Sequence, residues 1–160
     1  VDGLRNGFGE LFTEKDNRNY EGYWDKNNLI GDVRIRSESW FFEGRLFHAN
    51  HSAAGKMVYK DQSTYEGSLF DFQRDGYGVY TNFLGEKIKG VWTKDINVQD
   101  AEKRDIHGFF WQGTFKNLEP DGMLKVTLPD DKHYDGIWSE GKMVRALSVQ
   151  GLEARPYLIH

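Results

Sequence analysis

The sequence predicts an all-β fold: an elongated, single-layer antiparallel ribbon of β-hairpins with an aromatic groove. Three observations predict it. First, glycine and large rings dominate together, with 18 glycines beside 5 tryptophans, 8 tyrosines and 11 phenylalanines in 160 residues. Ordinary domains seldom concentrate both. Second, a segment of the form large–x–Gly–x–large recurs at a step of 22 or 23 residues, starting at 20, 42, 65, 88, 111 and 134. Third, the pattern inside each segment has a period of two, and no stretch carries a helical i, i+3, i+4, i+7 stripe.

The elements follow in order from that register. A leading half-unit, 1–19, carries Gly3, Gly7 and Gly9. The first full unit opens with Tyr20-Glu21-Gly22-Tyr23-Trp24. Tyr20, Gly22 and Trp24 share one face; Glu21, Tyr23 and Asp25 take the other. The next segments are Phe42-Glu43-Gly44-Arg45-Leu46, Tyr65-Glu66-Gly67-Ser68-Leu69, Ile88-Lys89-Gly90-Val91-Trp92, Trp111-Gln112-Gly113-Thr114-Phe115 and Tyr134-Asp135-Gly136-Ile137-Trp138. A second strand completes each unit. Its glycine pair is clearest at Gly7 and Gly9 and at Gly76 and Gly78, and its phase continues at Gly31 and Val33, Ala53 and Gly55, and Gly122 and Leu124. Two residues beyond that pair stand Leu11, Ile35, Met57, Tyr80, Val126 and Val149, all large and apolar. Turn chemistry separates the strands at Lys26-Asn27-Asn28, Arg74-Asp75-Gly76, Pro120-Asp121-Gly122 and Pro129-Asp130-Asp131. Glycine is a liability inside a strand. Its repetition beside rings predicts aromatics lying over glycines from strand to strand. About 13 strands at roughly 4.8 Å spacing would give a right-handedly twisted ribbon of about 60 Å.

These segments resemble MORN (membrane occupation and recognition nexus) repeats, whose pattern is Tyr-x-Gly-x-Trp-x-x-Gly-x-x-x-Gly-x-Gly. The resemblance rests on the segments at Tyr20, Tyr65 and Tyr134 and on the Gly7-Phe8-Gly9 and Gly76-Tyr77-Gly78 pairs, and it extends from Gly3 to about Val149. It implies a hairpin stack with a grooved aromatic face. It also implies a scaffold or adaptor role, as in ciliary radial-spoke proteins, junctophilins, alsin and cytoskeletal proteins, or an accessory role beside a kinase or SET methyltransferase. The departures are specific. The eighth-position glycine is present as Gly141 but replaced by Asn27, Ala49, Phe72, Asp95 and Leu118. The unit starting at Ile88 loses the glycine pair and reads Gln99-Asp100-Ala101. Its charged stretch, about 93–104, predicts an irregular excursion from the sheet. One domain, 1–160, is expected, cut from a larger protein, with Tyr157 in phase to open another unit.

The formal net charge is −4, which argues against a binder of nucleic acid or anionic membrane through a basic face. The absence of cysteine removes disulfides, thiolate zinc sites and cysteine nucleophiles, and fits a reducing, cytoplasmic compartment. Cytoskeletal or membrane association would follow only from the resemblance. The candidate partner groove is the aromatic stripe Tyr20, Trp24, Phe42, Tyr65, Trp92, Trp111, Phe115, Tyr134 and Trp138. The same rings serve equally as the core, and the two readings are compatible: inner atoms hold the fold while outer edges meet a helix or peptide. On the other face, Glu21, Glu43, Glu66, Gln112 and Asp135 recur at one position, with Lys89 as the exception. That row reads as a solvated surface or as an acidic ladder that steers a basic partner.

His48-Ala49-Asn50-His51 lacks the further ligands that a metal site needs, and His107 and His133 read as surface residues. No phosphate loop, nucleophile elbow or other catalytic constellation is present, so neither enzyme activity nor a cofactor is expected. The expected function is a protein-interaction module. Its partner is a helix or peptide of another protein or the rest of its own chain, with homodimerisation through open sheet edges and phospholipid binding as alternatives.

Overall fold

A computed structural model describes residues 3–47 and 51–150. All regular structure among them is antiparallel β. Thirteen strands follow one another in sequence order through a single open sheet. By compactness the chain divides into two units, Val1–Arg74 and Asp75–His160.

The first unit holds β1 (Gly7–Thr13), β2 (Arg18–Asp25), β3 (Asn28–Arg36), β4 (Trp40–Phe47), β5 (Ser52–Tyr59) and β6 (Thr64–Phe70). β7 (Gln73–Thr81) begins there and runs on into the second unit, which continues with β8 (Lys87–Thr93), β9 (Asn97–Arg104), β10 (Phe110–Lys116), β11 (Glu119–Thr127), β12 (His133–Ser139) and β13 (Lys142–Gln150). Each large–x–Gly–x–large segment is an even-numbered strand, and the strand after it closes the hairpin. The period-two reading holds. In β2, Trp24 is buried and Tyr23 exposed; in β8, Ile88, Gly90 and Trp92 are buried while Lys87, Lys89 and Val91 are not. Ile35, Met57, Tyr80 and Val126, two residues past the glycine pairs, are core in both units.

Two-residue turns with positive φ at both central residues follow β2, β6, β10 and β12, at Lys26-Asn27, Asp71-Phe72, Asn117-Leu118 and Glu140-Gly141. That is the geometry whose twist matches the flanking strands. Among the described residues the eighth repeat position is left-handed at Asn27, Phe72, Asp95, Leu118 and Gly141, and Phe72 (φ 61°) and Leu118 (φ 68°) occupy it without the freedom of glycine.

The excursion expected at about 93–104 is not there. Residues 97–104 form β9, paired with both β8 and β10. Charge does not forbid a strand when one face is wet. Val98 and Ala101 are each 1% exposed, while Glu102 faces Lys89 on the outside. What remains of the irregularity is one extra residue in β9, which falls where Asp100 adopts φ 50°. That bulge allows Val98 and Ala101, three apart, to turn the same way.

Candidate functional site

The aromatic stripe is chiefly the core. Phe42 and Tyr65 are 0% exposed, Trp92 1% and Phe115 2%, and Trp138, Tyr134 and Trp24 are also buried. Tyr20 and Trp111 are half-buried. Rings do lie over glycines. A Cβ on Gly44 would stand 2.8 Å from the Phe42 ring and 2.7 Å from Gly55 Cα; one on Gly136 would stand 2.9 Å from the Trp138 ring. In both units a tryptophan N–H donates to the carbonyl of the glycine-pair strand at 3.1 Å: Trp24 to Gly9, and Trp92 to Gly78. The glycine row brings strands together, and the rings fill the space above it.

The first unit leaves part of this face open. A cleft of about 630 Å³ is lined by Leu11, Tyr20, Trp24, Leu29, Leu46 and Phe47, with Asn27, His51 and Asp71 among its polar residues. Phe47 is 47% exposed. Tyr20 is fixed at this cleft by donating its hydroxyl to Asp16 at 2.6 Å. Burial and that bond to an anion raise the Tyr20 pKa above its ordinary value. Asp16 also accepts from the Thr13 hydroxyl, and this bond first, then that from Tyr20, lowers its pKa. Phe72, in its left-handed turn, folds back so that its ring stacks on Trp40 at 5.0 Å and meets Phe42 edge-on at 5.7 Å. The Arg18 guanidinium lies over both Trp40 and Phe72. The cleft is thus walled by a strained turn that packing holds in place.

In the second unit the half-buried Trp111 is tied down. Its N–H donates to Asp105 at 3.2 Å and its ring meets Trp138 edge-on at 5.6 Å. Tyr134 stacks on Trp138. Burial, with Asp105 nearby, raises the Tyr134 pKa. The rings of this unit cover one another.

The acidic ladder changes character once the intervening strands are paired in. Across β1 to β6 the row reads Glu10, Glu21, Arg34, Glu43, Lys56, Glu66. From Val79 on β7 through β13 it reads Lys89, Glu102, Gln112, Lys125, Asp135, Ser148. Basic residues from the odd strands sit between the acids, with Arg34–Glu43 at 3.0 Å and Lys56–Glu66 at 3.8 Å. The even segments alone hide this, because their partners lie elsewhere in the sequence.

Two groups of exposed apolar residues escape the stripe pattern. One comprises cross-strand pairs on the outer face, Phe8–Tyr23 in the first unit and Tyr77–Val91 in the second. The other is Phe83, Leu84 and Ile106 in the loops after β7 and β9. The signal for the pairs was the large apolar residue between or beside the glycines, as in Gly7-Phe8-Gly9. His48-Ala49-Asn50 and Tyr157 lie outside the described residues. His51 pairs with Asp71 at 2.9 Å. His107 is exposed, but His133 is half-buried with its Nδ1 enclosed and without a partner, because its strand, β12, is covered on both edges by β11 and β13.

No family model matches the chain. It is 26% identical over 124 residues to alsin from human and from mouse, an alignment covering 71% of this chain and 8% of alsin. Alsin contains MORN repeats. The chain therefore spans about 8% of the length of the curated relatives it matches.

Proposed function

We propose that this chain is a non-enzymatic, cytoplasmic protein-interaction module, and that the cleft of the first unit receives a helix or extended peptide from a protein partner. One observation carries the reading: on a face where most rings are spent on the core, the cleft keeps Tyr20, Leu29, Leu46 and Phe47 at the surface of an apolar, polar-rimmed concavity. Such patches mark interaction sites, and tyrosine is a favoured anchor.

The test is a pair of baits, the native chain and a Tyr20→Ser/Phe47→Ser double variant, with a photo-crosslinking phenylalanine analogue at Phe47 in a third. Neither substituted side chain is fully buried, so the fold is expected to survive, which circular dichroism checks. A protein retained by the native chain, lost by the double variant and crosslinked at Phe47 supports the reading. Equal retention by both baits sinks it. Tyr65 and Trp92 are unsuitable probes, since at 0% and 1% exposure their loss would act on the fold.

The alsin alignment favours a second reading. There the matching segment is a small part of a long chain, and by analogy this module would seat a neighbouring domain of its own polypeptide. Retention of nothing by the native bait alone, followed by capture once flanking sequence is supplied in trans, would favour it.

A further inference from the structure

The outer face of the first unit carries a feature that neither folding nor the cleft accounts for. Glu10 on β1 stands directly opposite Glu21 on β2. Like charges directly opposed across an antiparallel pair destabilise it. The next residue in the row, Arg34, is held by Glu43 at 3.0 Å. Glu21 faces Arg34 on its other side, Asp32 faces Arg45, Lys56 meets Glu66, Lys89 faces Glu102 and Lys125 faces Asp135, so among these carboxylates Glu10 is left with no basic residue opposite it.

The opposed glutamates are flanked by uncovered rings. Phe8 and Tyr23, one step along the same two strands, are 63% and 61% exposed and meet edge-on at 5.4 Å. Phe12, one step the other way on β1, is 56% exposed. Phe8, Tyr23 and Ile30 line a cleft of about 840 Å³ whose charged lining is Glu21, Asp32 and Glu43 with Arg34 and Arg45.

We propose that this outer face is a docking surface for a basic, apolar-flanked segment of another protein. The segment carries a lysine or arginine two residues from large apolar side chains on either side. Phe8, Glu10 and Phe12 alternate along one face of β1, so an extended chain of pattern apolar–x–basic–x–apolar matches them residue for residue. Its cation sits between Glu10 and Glu21 and removes their repulsion, and its apolar side chains cover Phe8 and Tyr23. Charge selects this occupant. A second copy meeting the same face two-fold would oppose the carboxylates to each other, and an anionic membrane or nucleic acid would be repelled.

The proposal does not rest on the cleft on the other face, and its test separates the two. The probes are fluorescent peptides alternating leucine with lysine, and the same peptides with glutamate for lysine, titrated by anisotropy against the whole 160-residue chain. The native chain is expected to bind the lysine probe, more weakly as salt rises, and not the glutamate probe. Glu10→Lys/Glu21→Lys should lower lysine-probe affinity about tenfold or more and admit the glutamate probe. Tyr23→Ser should weaken binding, while Tyr77→Ser in the second unit and Tyr20→Ser in the other cleft should not. If the charge-reversed chain misfolds, Glu10→Gln/Glu21→Gln replaces it and should still lose most of the affinity. No binding by the native chain, binding indifferent to the Glu10 and Glu21 changes, or equal loss with Tyr77→Ser would overturn the proposal.

Discussion

The two units are made from one repeat but finish it differently. Both place a tryptophan N–H on the glycine-pair carbonyl, Trp24 on Gly9 and Trp92 on Gly78. Beyond that bond they diverge. In the second unit Trp92 is 1% exposed, and Trp111, Tyr134 and Trp138 pack on each other. In the first, Trp24 is 9% exposed and opens on a cleft, while the Trp40–Phe42–Phe72 cluster closes its own corner. The outer rows differ too: the first unit starts with two opposed glutamates, whereas Lys89 in the second stands between Val79 and Glu102. A repeat fixes where rings and glycines fall; the residues around them decide whether a ring is core or surface.

The largest expected contrast lies in the tryptophans. Trp92→Ala should cost about 4–5 kcal/mol and Trp24→Ala about 3, because a site already beside a cleft relaxes more readily. Urea unfolding of the two variants measures it, and the reverse order would break the contrast between a closed and an open face. Next come the glycines at the third repeat position. A Cβ on Gly44 meets backbone, Ala54 O at 2.4 Å and Gly55 Cα at 2.7 Å; one on Gly90 meets the Val98 side chain at 2.6 Å and its nearest backbone atom, Gln99 O, only at 2.9 Å. Gly44→Ala should therefore cost about 3 kcal/mol and Gly90→Ala about 1–2. Equal costs would show that the two glycine rows are equally tight.

The left-handed turns should differ in sign. Glycine relieves roughly 1 kcal/mol of backbone strain at either site. Leu118→Gly is expected to stabilise by up to about that amount. Phe72→Gly also forfeits the rings of Trp40 and Phe42 and should end up destabilised by about 1–2 kcal/mol. Melting temperatures of the two variants decide it, and stabilisation by both would remove the packing role given to Phe72.

The smallest effect is a pH dependence in the second unit. Burial pushes the Glu86 pKa up, but donation from the Asn82 amide and the Ile106 N–H, with Lys103 nearby, outweighs it and leaves the value lowered. A carboxyl with a lowered folded pKa adds stability that is full above its unfolded value near 4.5 and is lost as the pH falls through the folded one. Glu86→Gln should thus flatten acid unfolding below about pH 4.5 and leave its slope near pH 7 unchanged. An unchanged acid profile would show that this cluster is not what the second unit loses in acid.

The sequence by itself determined the β class, the 22- or 23-residue step and the alternation of faces within the even strands, whereas the turns it placed at 74–76 and 120–122 fall inside β7 and β11. What held is local: a period of two and a glycine under a ring. Even Asp100, where the glycine pair is missing, lies at the bulge and carries the positive φ. The tertiary structure decided what depends on strands distant in sequence. It turned the polar stretch 97–104 into β9, because Val98 and Ala101 found a core to join. It converted an acidic ladder into an alternating one by pairing in Arg34, Lys56 and Lys125. It left Tyr20 and Trp24 at an open cleft while Trp92 was sealed. Burial and cross-strand charge depend on register and on which strands lie alongside, and the spacing within one segment carries neither.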